Sequence, residues 1–245
     1  MIIGLKSLAK KILSRSPYRI SRGAPNRFDA IEPCLKQLAS ASFSPTLVID
    51  AGAHSGEFAM MARRVFPLAA VHMIEPQPAC AADLQRLLIH PGFFLHQVAV
   101  TAEAGPVHMN VRPGRDTGAH VAWPTNRHEA NLVVRGMTLD SLFSARCGQV
   151  DRILLKLDLQ GHEMLALRGA SQLLPLVEVV LLEVSFFRQA GEPTIPELVH
   201  FFDAAGFDLF DIAALSGRTR DGRLRQGDFV FVRRGTKMWS DQGWH

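Results

Sequence analysis

The sequence predicts an α/β protein: an open, mostly parallel sheet covered by helices on both faces. Three observations predict it. From residue 46 onward, short apolar runs alternate with helical patterns, the order left by strand–helix–strand units wound into one sheet. The runs are apolar throughout, as strands buried on both faces are. The first run, Leu47-Val-Ile-Asp50, enters a turn carrying Gly52 and Gly56 before a helical pattern begins. Strand, glycine turn and helix in that order make the cradle in which parallel sheets hold nucleotide ligands.

The elements follow in order. Ile2, Leu5, Leu8, Ile12 and Leu13 fall at helical spacing among Lys6, Lys10 and Lys11, a short basic amphipathic helix. A Ser-, Pro- and Arg-bearing linker spans 14–27. Phe28, Ile31, Leu35 and Leu38 mark a second helix. Strands are expected at 46–50, 70–75, 93–99, 152–158, 179–185, 207–212 and 228–233, with helices at about 56–66, 78–89, 162–171 and 195–205. The last two strands are joined by a polar Gly- and Arg-rich stretch too short for a helix, so they form an antiparallel hairpin. Residues 100–138 break the alternation. A turn at 101–105 and a short strand at 107–111 precede a polar, irregular loop at 112–130, and loops of that length are commonly functional. The expected divisions are an N-terminal arm and helices over 1–45, the main domain over 46–235 and a tail over 236–245.

At 245 residues and 47% apolar content the chain can bury a substantial core. Residues 1–27 hold seven basic residues and no acid, which leaves −3 of the net +4 for the rest. The basic character therefore belongs to the arm, and the body has no basic stripe suited to nucleic acid. The arm would suit an acidic membrane surface, a peripheral association, or packing on protein. Cys34, Cys80 and Cys147 lie 46 and 67 residues apart, with neither metal-ligand spacing nor a disulfide framework. No run of 18 apolar residues is present and the N-terminus makes a poor signal peptide, so a cytoplasmic protein is expected.

Asp50 narrows the ligand. A carboxylate at the mouth of the loop would repel a pyrophosphate, whereas the sulfonium and ammonium of S-adenosylmethionine favour it. Glu75 follows Asp50 by 25 residues at the end of the next strand, where a carboxylate accepts hydrogen bonds from ribose hydroxyls. A second constellation lies at 153–163, Ile-Leu-Leu-Lys-Leu-Asp-Leu-Gln-Gly-His-Glu. Lys156 and Asp158 alternate with leucines, so both point to one face at a strand end. Such charges are costly unless paired or set at a site. Asp158 should sit beside Asp50, beyond the carboxyl ends of the strands.

These segments together resemble the FkbM family of S-adenosylmethionine-dependent methyltransferases, over about Thr46 to Arg234. The resemblance is carried by Val48–Phe58, Ile74-Glu-Pro76, Gln97–Val100, Thr138–Leu142, Leu155–Glu163, Leu181–Val184 and Ala205-Gly-Phe207. It implies the class I methyltransferase fold, Rossmann-like with seven strands and the last antiparallel. It further implies O-methylation of a hydroxyl, often on sugars or polyketide-type metabolites. Carried over by position, Asp50, Gly52, Ala53, His54 and Gly56 belong to the loop that holds the methionine part of the cofactor. Glu75 matches the ribose acid, with Pro76 beside it, and Val98 and Ala99 lie near adenine. His54 stands where the family more commonly has Asn.

The expected reaction is transfer of a methyl group from S-adenosyl-L-methionine to a hydroxyl of a small molecule or glycan. Asp158 is the candidate base or orienting group, and Lys156 its partner. His120 and His128 are alternative bases or substrate contacts. Asp158, Glu163 and Glu183 could converge on a hard cation, but no metal is assigned. The rival readings are a nicotinamide-dependent oxidoreductase, which would favour Gly-x-Gly-x-x-Gly, and a non-catalytic cofactor-binding protein of the same fold.

Overall fold

The computed structural model describes residues 27–113, 117–122, 127–145, 147–148, 152–187 and 192–239. The amphipathic helix expected at 2–13 and most of the linker lie outside the described residues. The chain opens with α1 (Phe28–Ser40) and β1 (Leu47–Ala51). It continues through α2 (Glu57–Val65), β2 (Ala70–Ile74), α3 (Ala81–Leu87) and β3 (Phe93–His96). Four short strands come next, β4 (Ala99–Val100), β5 (Gly105–Asn110), β6 (His120–Val121) and β7 (Leu132–Met137), and then α4 (Leu139–Phe143). The alternation resumes with β8 (Ile153–Leu157), α5 (Glu163–Arg168), β9 (Val177–Ser185) and α6 (Ile195–Ala204), and closes with β10 (Phe207–Arg218) and β11 (Leu224–Arg233).

The main sheet has the order β10-β11-β9-β8-β1-β2-β3. β1, β2, β3, β8 and β9 run parallel, and β11 runs antiparallel to both its neighbours. The chain moves outward from β1 to β3 and then returns to place β8 on the other side of β1. Strand order reverses there, which is where parallel sheets open a crevice at their carboxyl ends.

Alternation along each strand fills two cores. Ile49, Leu155, Val180, Phe229 and Phe231 point to one face, under Leu167, Leu198 and Phe202. Val48, Leu154, Val179 and Val230 point to the other, against Ile31, Leu35 and Leu38 of α1 and Phe58 and Met61 of α2. Phe202 stacks on Phe231 with ring centroids 4.3 Å apart, and such a buried ring contributes roughly 2–3 kcal/mol. The Thr138–Leu142 motif is structural: Thr138 Oγ1 accepts the Ser141 N–H at 3.0 Å, capping α4. The Asp140 carboxylate accepts the N–H groups of Gln172 and Leu173 at 3.0 and 2.8 Å.

Four expectations are corrected. The strand expected at 93–99 is two, because the chain leaves the edge of the main sheet after His96. Ala99–Val100 then pairs with Gly136–Met137 in a second sheet, β4-β7-β5-β6. β7 went unread; Leu132-Val-Val134 is its apolar signal, too short to separate from the polar residues around it. The loop at 112–130 is not irregular throughout, since β6 pairs its residues with Met109 and Asn110. The terminal hairpin runs to Arg218 and back from Leu224, six residues further than expected on its first arm. Among the described residues, no helix is long and apolar enough to cross a membrane.

Candidate active site

The glycine turn is held by backbone geometry. Gly52 has φ +80°, and a Cβ there would lie 1.9 Å from the Asp158 carbonyl oxygen, so only glycine fits between the two strand ends. The Gly52 and Ala53 N–H groups donate to the Ile74 carbonyl at 2.9 and 3.0 Å, tying the turn to the end of β2. His54 has φ +47°. That left-handed region favours asparagine and histidine among side chains bearing a Cβ, which is the physical reason either residue serves at this place. Gly56, at φ +83°, precedes the first residue of α2.

Asp50 lies behind the turn, fully buried. The β1–β8 register sets it opposite Lys156. The Lys156 ammonium is 2.9 Å from Asp50 Oδ1, donates to the Gly52 carbonyl at 2.7 Å and reaches Asp158 Oδ2 at 3.7 Å. Burial works against its charge, but Asp50 and then Asp158 outweigh it and raise its pKa. Lys156 therefore joins the glycine turn to the end of β8, and Asp158 sits beside Asp50 with this ammonium between them.

Asp158 is the first residue beyond β8. Burial opposes its ionisation, yet Lys156, Arg27 and Gln160 prevail and hold its carboxyl below the usual carboxylate range. Gln160 Nε2 donates to Asp158 Oδ1 at 2.9 Å and to Glu183 Oε2 at 3.1 Å. Arg27 donates one N–H to Asp158 Oδ2 and another to Glu183 Oε1, and lies 3.6 Å from Asp228 Oδ1. With few cations to share, the other acids are pushed upward, chiefly by burial: Glu163 to about 8, Glu183 to about 7 and Asp228 to about 6.

These elements enclose a cavity of about 370 Å³, within the range of small-molecule sites. Gly52, Ala53, His54, Glu75, Pro76, Val98, Ala99, Lys156 and Asp158 line it, whereas Gly56 and Asp50 do not: Asp50, expected at the mouth of the loop, lies behind it against Lys156. The second sheet supplies the opposite wall through Val100, Met109, Ala119 and Val121. Glu75 accepts the His54 N–H at 2.8 Å and the Gln77 N–H at 2.9 Å, one on each oxygen. Each oxygen keeps a lone pair for a ribose hydroxyl. An apolar wall facing a carboxylate-rich one suits a ligand that joins an adenine to a sulfonium and an ammonium, so the residues present fit S-adenosylmethionine.

The structure separates the two histidines from this cavity's lining. The His120 ring turns to the Gly118 carbonyl at 3.0 Å, and His128 is exposed beside Glu129, 3.8 Å away. Among the described residues no group of His, Cys, Asp and Glu forms a metal site. Arg27, counted in the sequence as charge on the arm, is instead a largely buried part of the site, and its place depends on acids more than 130 positions away. Asp228, at the centre of the last strand, gave its only signal as the acid directly before the apolar run Phe229–Val232.

A model of the methyltransferase FkbM domain matches residues 50–209. No curated protein matches the chain by sequence. Among solved structures, a methyltransferase FkbM from Methylobacillus flagellatus KT is 16% identical with a TM-score of 0.47, and the match covers 76% of this chain and 43% of that one. The chain thus spans under half the length of that relative. The plantazolicin methyltransferase BpumL in complex with SAH is 11% identical with a TM-score of 0.48, over 85% of this chain and 84% of that one. The fibrillarin pre-rRNA processing protein of Methanococcus jannaschii is 11% identical with a TM-score of 0.45, over 78% and 68%. Likenesses this distant leave the assignment to the domain match, which spans well over half of the sequence: the chain belongs to the FkbM family of methyltransferases, and its cofactor is S-adenosyl-L-methionine.

Proposed function

We propose that the protein methylates a hydroxyl of a sugar, glycan or secondary metabolite, with Asp158 orienting the acceptor. The observation that carries this reading is the position of Asp158, on the cavity wall next to the donor turn, with Gln160, Arg27 and Lys156 fixing its carboxylate. S-adenosylmethionine would supply an activated methyl group for in-line displacement at the methyl carbon, the C–S electron pair leaving on sulfur as S-adenosylhomocysteine and the acceptor's hydroxyl proton passing to solvent. The chain's part is to hold the acceptor oxygen about 3 Å from the methyl carbon and to receive the hydroxyl's hydrogen bond. Of the two roles open to Asp158, orientation fits better than resident base, because its depressed proton affinity makes it a weak proton acceptor. Lys156 keeps that carboxylate ionised and in place. The second sheet keeps water from the apolar side of the cavity.

Screening with labelled donor against glycans and small hydroxylated metabolites tests the acceptor class. Transfer to a hydroxyl supports it, and transfer confined to amines or thiols overturns it. Insensitivity to EDTA is expected. Calorimetric titration with S-adenosylmethionine and with NAD separates the methyltransferase from the oxidoreductase reading, and only the first ligand should bind. The basic arm is proposed to contact acidic membrane surfaces. Deleting residues 1–26, which spares Arg27, should reduce association with liposomes containing anionic lipid, and unchanged association would refute that contact.

A further inference from the structure

We propose that Arg27 is a positioning residue of the transfer site: its guanidinium bridges Asp158 and Glu183 and so locks the Asp158 carboxylate against the donor turn, completing the site from outside the family's domain. The inference rests on the methyltransferase reading and on Asp158 as the acceptor-orienting group. Arg27 precedes the matched residues 50–209 by more than twenty positions, so no family motif assigns it a task.

The geometry is that of a built contact. The planar fork spends separate N–H groups on carboxylates from two strands, Asp158 after β8 and Glu183 in β9. A fork of fixed geometry is what sets two carboxylates relative to each other, which a point charge does not do. The arginine is itself anchored. Its carbonyl accepts the Ala30 and Ile31 N–H groups at 3.0 and 3.1 Å, so it is bonded into the first turn of α1. Ile31, Leu35 and Leu38 sink that helix into the core beneath the sheet. Arg27 also lines the cavity.

Counting lone pairs shows what the contact does. Asp158 Oδ1 takes the Gln160 amide, and Oδ2 faces Arg27 closely but Lys156 only at 3.7 Å. Lys156 directs two of its three N–H groups to Asp50 and the Gly52 carbonyl, at 2.9 and 2.7 Å. Without Arg27 the Oδ2 oxygen would keep only the Lys156 charge at 3.7 Å, beyond hydrogen-bond reach, and the carboxylate could rotate about its Gln160 contact away from the acceptor. Its electrostatic surroundings would change too. The charged groups around Asp158 are Asp50 of β1, Lys156 of β8, Glu163 of α5, Glu183 of β9, Asp228 of β11 and Arg27 itself. Among the described residues Arg27 and Lys156 are the cations that lower the Asp158 pKa, and losing one of them leaves the neighbouring carboxylates less compensated, which favours protonation.

The test uses the full chain as Arg27→Gln and Arg27→Lys. S-adenosylhomocysteine binding, read by calorimetry, should stay within about threefold of the parent in both, because the donor turn does not contact the guanidinium. The Asp158 carboxyl resonance, followed by carbon NMR in the S-adenosylhomocysteine complex, should titrate about one unit higher in Arg27→Gln and less displaced in Arg27→Lys. With an acceptor from the hydroxyl screen, turnover should fall about 100-fold in Arg27→Gln, with partial recovery in Arg27→Lys and little change in the donor's KM. An Asp158 titration unmoved in a folded variant overturns the proposal, as does full turnover in Arg27→Gln. If Arg27→Gln does not fold, the Arg27→Lys titration and turnover decide between the same outcomes. Failure of the parent to bind S-adenosylhomocysteine would instead refute the methyltransferase reading, a separate result.

Discussion

The proposed donor side and the proposed acceptor side of this cavity are built by different means. The donor side is local: residues 50–56 and 75–77 come from one strand–helix–strand unit, and main-chain contacts fix them. Gly52 fits where no side chain can, and Glu75 is held by two backbone N–H groups. The acceptor side is assembled from distant pieces. Asp158, Glu183, Asp228 and Arg27 come from four parts of the chain, and charge fixes them rather than main-chain geometry. A site made by backbone tolerates no change of shape, whereas a site made by charge responds to pH and to the loss of one partner.

The largest effect should come from the donor side. Gly52→Ala puts a Cβ into the Asp158 carbonyl at a positive φ. It should cost on the order of 3 kcal/mol or more, read as a fall in melting temperature and loss of S-adenosylhomocysteine binding. A well-folded variant that binds normally would erase the contrast. Lys156→Met comes next. It removes the ammonium between Asp50 and Asp158 and leaves buried charge unpaired, which costs roughly 3–5 kcal/mol in denaturant unfolding. A smaller loss would mean that Asp50 takes up a proton, and the stability of the variant would then rise on acidification.

The acceptor side should also mark the pH dependence of stability. Glu163 is raised from an ordinary 4.5 to about 8, mainly by burial. The folded state therefore binds more protons than the unfolded chain between those values. The contribution is fully present below about pH 4.5 and is lost as pH rises through about 8. Glu163→Gln should flatten that decline, by on the order of 4 kcal/mol at most across the window, because a Gln carbonyl can still accept the Leu159 N–H. An unchanged slope would move the effect to Glu183 and Asp228, whose windows end near 7 and 6.

Legibility in the sequence follows the same division. The strand–helix alternation and the glycine turn were readable because periodicity and spacing within about 30 residues encode them. Gly52 and Glu75, which line the cavity, could be named from charge and position alone, while the charge argument for Asp50 did not show that Lys156 would stand between it and the cavity. Of the second sheet only β5 was readable, as the short strand expected at 107–111, because two-residue strands such as Ala99–Val100 and His120–Val121 carry no period. Arg27 was read as arm charge because nothing near it in sequence is acidic; its partners meet it only after β8, β9 and β11 are laid side by side. Thr138 and Asp140 show the opposite case, a family motif whose visible work is to cap a helix and hold a turn.

Asp158→Asn tests the division most directly, since it changes one atom on the acceptor side and leaves the donor turn untouched. With S-adenosylhomocysteine titrated by calorimetry and methyl transfer followed with labelled donor, binding should stay within about threefold while turnover falls by roughly 100-fold or more. Normal turnover with weakened cofactor binding would contradict the account, because it would place Asp158 in the donor site.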